Sequence, residues 1–262
     1  MEVLGQRIKD ILTAYTGRWG IVILNQSTWD KLELDSDMVF PAASMIKVPI
    51  MYEIMRQAAA RKLSLNDSLE VTSGYITGGA GILKELRAGI TMTIRELVTL
   101  MIILSDNTAT NMLIDVAGMD AVNKTMDSLG LKSTVLRRRM MDFAAAQAGK
   151  ENETSAADLA RLFAGIYTSI GLPPAYGSSM LDILKRQQIR DKLPFYLPEE
   201  TIIAHKTGTL TGVEHDAGIL FLPGGPYIVC VLTADLQTNY LGLQLVASIG
   251  KVIYEHFHHR EE

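Results

Sequence analysis

Cysteine is almost absent from this chain: Cys230 is the only one among 262 residues, so no intramolecular disulfide can staple the fold. It sits in the apolar run Tyr227-Ile-Val-Cys-Val-Leu232, the setting of a buried, inert strand thiol rather than of a nucleophile. Long apolar runs are lacking too. Residues 98–104, apart from Thr99, and 227–232 are apolar, but a membrane-spanning helix needs roughly 20 such residues. Nor is there a block of basic residues: 25 Lys and Arg against 29 Asp and Glu leave a net charge of −4. Nucleic acid is therefore disfavoured as a partner, because phosphate binding needs clustered positive charge. The opening residues Met-Glu-Val-Leu-Gly-Gln-Arg carry neither a basic-then-apolar leader nor a small-residue cleavage site. As given, the chain reads as cytoplasmic; a periplasmic or secreted protein with its signal peptide removed would look the same.

What is present is a composition 48% apolar and 21% charged, enough to bury a large core in one domain. Apolar residues in 3–15 recur at helical spacing, and residues 19–25 and 31–34 read as a strand pair around Gln26-Ser27-Thr28-Trp29-Asp30. Residues 44–60 return to a helical period, with Pro49 tolerated near the first turns. Thr93-Ile-Arg-Glu96 has the form of a capping box and predicts a helix start. Another helix is expected from about Asn107 to Val116, ended by Gly118, and a third over 156–166 after Thr154-Ser155. Residues 136–153 show no period and read as a long loop, a kind of segment that often carries function. Strands are expected over 201–207, 216–222 and 227–234, with Pro223-Gly-Gly-Pro226 as a turn, and a helix over 241–257 closes the chain. Strands at both ends and helices between predict an α+β fold. The domain spans 1–262, with a sheet lobe of 1–43 plus 200–262 and an inserted all-helical lobe of 44–199.

Three short motifs occur in order: Ser44-Met-Ile-Lys47, Ser105-Asp-Asn107 and Lys206-Thr-Gly208. Each is common alone. Together, in these contexts, they form a set known from serine acyl-enzyme chemistry. Ser44 opens a helix, so Lys47 lies about one turn later on the same face, and the helix N-terminus favours developing negative charge. A serine hydroxyl is a weak nucleophile. A nearby amine kept neutral by a second cation, here Lys206, can accept its proton.

On these motifs the chain resembles the penicillin-recognising serine hydrolases, most closely the class A β-lactamases. The resemblance covers nearly the whole chain. It implies a five-stranded antiparallel sheet built from both termini, helices packed on it, and no metal or other cofactor. It further implies that Ser44 is the acyl-accepting nucleophile and Lys47 its general base or proton relay. Ser105 would pass a proton to the leaving nitrogen, and Lys206 would place positive charge near Ser105 and a substrate carboxylate. Asn107, Thr207, Gly208 and Thr209 would bind substrate, with the backbone N–H groups of Ser44 and Thr209 as the oxyanion hole. The substrate class is a small β-lactam or a peptide-like amide or ester. D-alanyl peptidase or esterase activity, and an acyl-trapping sensor, are the alternatives.

One departure matters. The class A loop carries an Arg, then a Glu, then an Asn that together hold the hydrolytic water. With Arg138 in the Arg position, the Glu falls at Met140 and the Asn at Ala144. Methionine cannot take a proton. Asp142 is the nearest carboxylate and the candidate substitute base; its other reading is a structural one, as a cap or as partner to a neighbouring Arg. Arg138 and Glu153 are expected to pair across the neck of the loop. Of the histidines, His205 is expected to face away from the cleft and to pack, by strand alternation with Lys206, and His215 to be solvated at a strand start.

Overall fold

Both faces of the central sheet are covered, and that follows from where its strands lie in the sequence. The structure is a computed structural model describing residues 1–258. Helix α1 (Glu2–Leu12) leads into the strand pair β1 (Arg18–Asn25) and β2 (Lys31–Leu34), and the short β3 (Phe40–Pro41) follows. A 3-10 turn, Ala43–Ile46, precedes α2 (Lys47–Ala59). Strands β4 (Ser68–Val71) and β5 (Ile90–Thr93) pair in a small ribbon, so the helical insert also holds some strand. Helices α3 (Ile94–Ile103), α4 (Asn107–Ala117), α5 (Met119–Ser128) and α6 (Phe143–Gln147) come next. Then follow β6 (Glu153–Thr154), α7 (Ala156–Thr168), α8 (Pro174–Lys185), β7 (Ile203–Leu210), β8 (Val213–Leu222), β9 (Gly225–Ala234) and α9 (Asn239–His258).

The main sheet runs β2-β1-β9-β8-β7, every pair antiparallel. The first and last strands in the sequence thus meet at its centre, with Arg18 opposite Ala234 and Asn25 opposite Tyr227. Alternation along each strand sends side chains to opposite faces. Ile21, Ile23, Val229 and Val231 pack with Leu4 and Ile8 of α1 and with Leu245, Ile249 and Ile253 of α9. Val22, Ile228, Cys230 and Leu232 join the second cluster, which includes α2, α3, α4 and α7. A sheet buried on both faces needs near-continuous apolar strands, which is why β9 reads as one run and Cys230 is fully buried. Burial also pushes the Cys230 thiol up, away from the reactive thiolate.

The expected α+β fold and its five-stranded antiparallel sheet are present. Three local expectations are corrected. The loop after Leu136 contains α6, whose cap is the Asp142 side chain accepting the Ala145 N–H at 3.0 Å. The neck pairing is offset by one: Glu153 binds Arg137, and Arg138 binds Glu151 at 2.7 Å. His215 is buried, not solvated, with Nε2 against the Pro41 carbonyl at 2.8 Å and Nδ1 accepting the Thr233 N–H at 3.1 Å. These two contacts set its tautomer, and burial holds its pKa at about 4, in the neutral form.

Candidate active site

Ser44 does not begin an α-helix directly. It lies in the 3-10 turn, where the Met45 N–H closes on the Ala42 carbonyl at 2.9 Å, and Lys47 is the first residue of α2. Ala43 enters that turn with φ 47°. Ser105, between α3 and α4, has φ 55°, and Met141 in the loop has φ 63°. Left-handed backbone at non-glycine residues is costly and tends to collect at functional sites; here three instances adjoin one cleft. Strand β7 closes the other side. A Cβ on Gly208 would come within 3.3 Å of the Ser44 backbone nitrogen and 3.2 Å of the Ala43 Cβ, so glycine lets the strand approach the turn that carries Ser44.

The structure brings Lys47, Ser105, Asn107 and Lys206 into one hydrogen-bonded group. Lys47 Nζ donates to the Ser105 carbonyl at 2.6 Å, to Ser105 Oγ at 3.0 Å and to Asn107 Oδ1 at 2.9 Å. From the opposite side, Lys206 Nζ donates to Ser105 Oγ at 3.1 Å and to the Thr207 carbonyl at 2.7 Å. Both lysines are fully buried. Burial lowers the Lys47 pKa to about 7, and Asp106 opposes the shift. Lys206 is driven well below its ordinary value by burial first and then by the charge of Lys47. Desolvation, more than the second cation expected from sequence, therefore makes Lys47 available as a neutral amine.

Apart from Asp106, the middle residue of the Ser105-Asp-Asn107 motif, the positioning residues carried no motif-level signal. Asp106 accepts the Ile82 and Leu83 N–H groups at 2.7 and 2.8 Å and caps α4 through Ala109. It thereby holds the backbone at Ile82 and Leu83 beside Ser105. Asn111, buried in α4, grips Met140 from both ends: its Oδ1 accepts the Met140 N–H at 2.8 Å and its Nδ2 donates to the Met140 carbonyl at 3.2 Å. Asn152 accepts the N–H groups of Arg137 and Arg138 at 2.7 and 3.0 Å. Buried Lys192 donates to Thr209 Oγ1 at 3.2 Å and pairs with Glu214 at 3.0 Å, while Thr209 donates to Glu214 at 2.8 Å. For Asn111 the signal is an amide on the buried part of α4; Asn152 and Lys192 lie outside helices and strands and offer none.

A cavity of about 180 Å³ opens at Ser44 and is lined by Asn107, Thr209, Arg138, Met140, Met141 and Phe143, among others. Asp142 is not part of that lining; its side chain is spent on capping α6. His205 packs beneath β7 with Nδ1 2.8 Å from Asp216 Oδ1. Among the described residues no group of three or more His, Cys, Asp or Glu is placed to hold a metal ion. No helix there is long and apolar enough to cross a membrane.

A sheet of this order, flanked by both terminal helices, with Ser-x-x-Lys, Ser-Asp-Asn and Lys-Thr-Gly converging on one cleft, defines a β-lactamase-like serine hydrolase. The family model "Beta-lactamase enzyme family" matches residues 3–257, and the chain belongs to that family. Beta-lactamase VEB-1 of Pseudomonas aeruginosa is 23% identical, over 96% of this chain and 89% of that protein. The beta-lactamase from Sphaerobacter thermophilus DSM 20745 superposes with a TM-score of 0.88 at 29% identity, covering 97% of this chain and 96% of its own. PBP-A gives 0.88 at 30% identity, covering 97% and 95%. A leucine-to-glutamate mutant of PBP-A, solved as an acyl-enzyme with penicillin G, gives 0.89 at 30% identity over 98% and 96%.

Proposed function

We propose that this protein acylates Ser44 with β-lactams or related amides and esters and releases the acyl group slowly. In this reading neutral Lys47 takes the Ser44 proton as Oγ bonds to the substrate carbonyl carbon. The carbonyl oxygen becomes an oxyanion facing the N–H groups of Ser44 and Thr209. When the C–N bond breaks, Ser105 passes a proton to the leaving nitrogen and is itself reprotonated from the lysine side. Lys206, Thr207 and Asn107 hold the substrate carboxylate and amide. Water must then cleave the Ser44 ester, returning the proton to Oγ.

The observation that carries slow release is Met140. It lines the cavity beside Ser44, and no carboxylate shares that lining. Base-assisted attack by water ordinarily contributes about 10²–10⁴-fold, and neither Met140 nor the capping Asp142 supplies it. The acyl-trapping alternative draws on the same observation.

The test is a chromogenic cephalosporin mixed with enzyme at several concentrations, with intact mass taken in parallel. Slow release predicts a burst equal to the enzyme concentration, a persistent adduct and a low steady rate, all abolished by Ser44→Ala. Fast turnover without a burst would contradict slow deacylation. If Ser44→Ala behaves as wild type, the acyl-serine assignment falls.

A further inference from the structure

We propose that the acyl side of this cleft selects substrates whose acyl substituent is a single apolar ring or compact hydrocarbon, and discriminates against a charged one. The inference rests on the acyl-enzyme reading above and assigns it a substrate class.

The apolar lining of the cavity at Ser44 comes from Met140, Met141 and Phe143 of the loop and from Leu210 of β7. Met140 is 8% exposed, whereas Met141 and Phe143 are 39% and 56% exposed at the mouth. This is apolar surface that a bound hydrophobic group would remove from water. Thioethers adapt to and attract aromatic rings. Size sets an upper bound: the whole cleft at Ser44, which must also hold the reacting carbonyl, is about 180 Å³, and an apolar cavity of roughly 150 Å³ holds one benzene. Pockets for drug-sized ligands run to roughly 300–1,000 Å³, so a long branched substituent would have to stay outside.

Charge is selected against by the state of the ionised side chain in the lining. Arg138 is committed: Nε and Nη2 lie 2.9 and 2.7 Å from Glu151 Oε1, and Nη1 donates to the Arg139 carbonyl at 3.1 Å. Asn107 is committed as well, through Lys47 to its Oδ1 and through its Nδ2 to the Gly78 carbonyl at 2.9 Å. An anionic substituent would lose hydration and meet no uncommitted cation. A neutral ring loses only apolar hydration.

The test measures second-order acylation of Ser44 in the full chain, by quenched intact mass, with three penicillins sharing one nucleus. Benzylpenicillin carries a neutral ring, carbenicillin the same ring with a carboxylate, and 6-aminopenicillanic acid no acyl group. Benzylpenicillin should acylate at least about tenfold faster than either of the others, a spread typical of pocket discrimination. Phe143→Ser and Met141→Asn should each narrow the benzylpenicillin-to-carbenicillin ratio severalfold. Both positions are exposed, and Asn accepts left-handed backbone; thermal melts confirm folding. Equal rates for the two ring-bearing penicillins, or a ratio that both folded variants leave unchanged, would overturn the inference while leaving acylation standing. No adduct with any of the three would overturn the acyl-enzyme reading and the inference with it.

Discussion

Burial leaves Lys47 about half neutral at neutral pH, where a lysine in water is charged. With its pKa lowered to about 7 by burial, the amine is charged below that pH and neutral above it. If the neutral amine takes the Ser44 proton, the acylation rate should rise through a midpoint near pH 7 and then level off. A stopped-flow profile that is flat between about pH 5 and pH 9 would refute the role. Met140 carries the opposite kind of prediction. Its backbone is fixed on both sides by Asn111, so Met140→Glu should place a carboxyl in the cavity without moving the loop. Deacylation should accelerate by about 10²-fold, read as a shortened adduct lifetime in intact mass. An unchanged lifetime would mean that the side chain at 140 does not meet the hydrolytic water.

At the scale of elements, the loop over the cleft is held at its neck by one amide more than by its ion pairs. The Arg137 to Glu153 pair is half exposed, and such pairs contribute about 0–1 kcal/mol. Asn152 is buried and also donates to the Arg138 carbonyl at 3.1 Å. Asn152→Ala should cost about 2–3 kcal/mol through orphaned backbone groups, measured by urea unfolding, and should raise protease cleavage within residues 137–153. Asn152→Asp, which keeps the acceptor for both N–H groups but turns a carboxylate oxygen toward the Arg138 carbonyl, should recover part of the loss. If Ala and Asp variants are equally destabilised, the acceptor is not what closes the neck. Such a clamp is invisible in sequence because it depends on which carbonyls and amides the chain folds toward it. By contrast, local chemistry could be read directly. The Thr93 box forms as expected, with Glu96 accepting the Thr93 N–H at 2.7 Å, and the apolar run around Cys230 is a central strand. The meeting of Lys47, Ser105 and Lys206 was legible through their motifs. The register of Arg137 and Arg138 was not, since adjacent arginines offer the same charge to either acid.

For the whole molecule, two buried lysines at one site oppose folding when they must be charged. The folded pKa of Lys47, about 7, lies below that of an unfolded lysine, near 10.4. Between these values the unfolded chain binds more protons, so stability rises with pH. From pH 7 to pH 9 this lysine alone should add about 2 kcal/mol. Lys47→Met should flatten that part of the stability profile in urea titrations at successive pH values; an identical slope would show that the folded amine titrates normally. Lys206, depressed in the same direction, adds to the effect. The pairing of β1 with β9 imposes an order on synthesis. The hairpin bearing Ile21 and Ile23 leaves the ribosome long before the strand that completes its edge, and the last strands are also those flanking Lys206. Until they emerge, the nascent chain carries an open, apolar sheet edge and no assembled site. Assembly of the cleft therefore waits on β7, β8 and β9 joining β1 in one sheet.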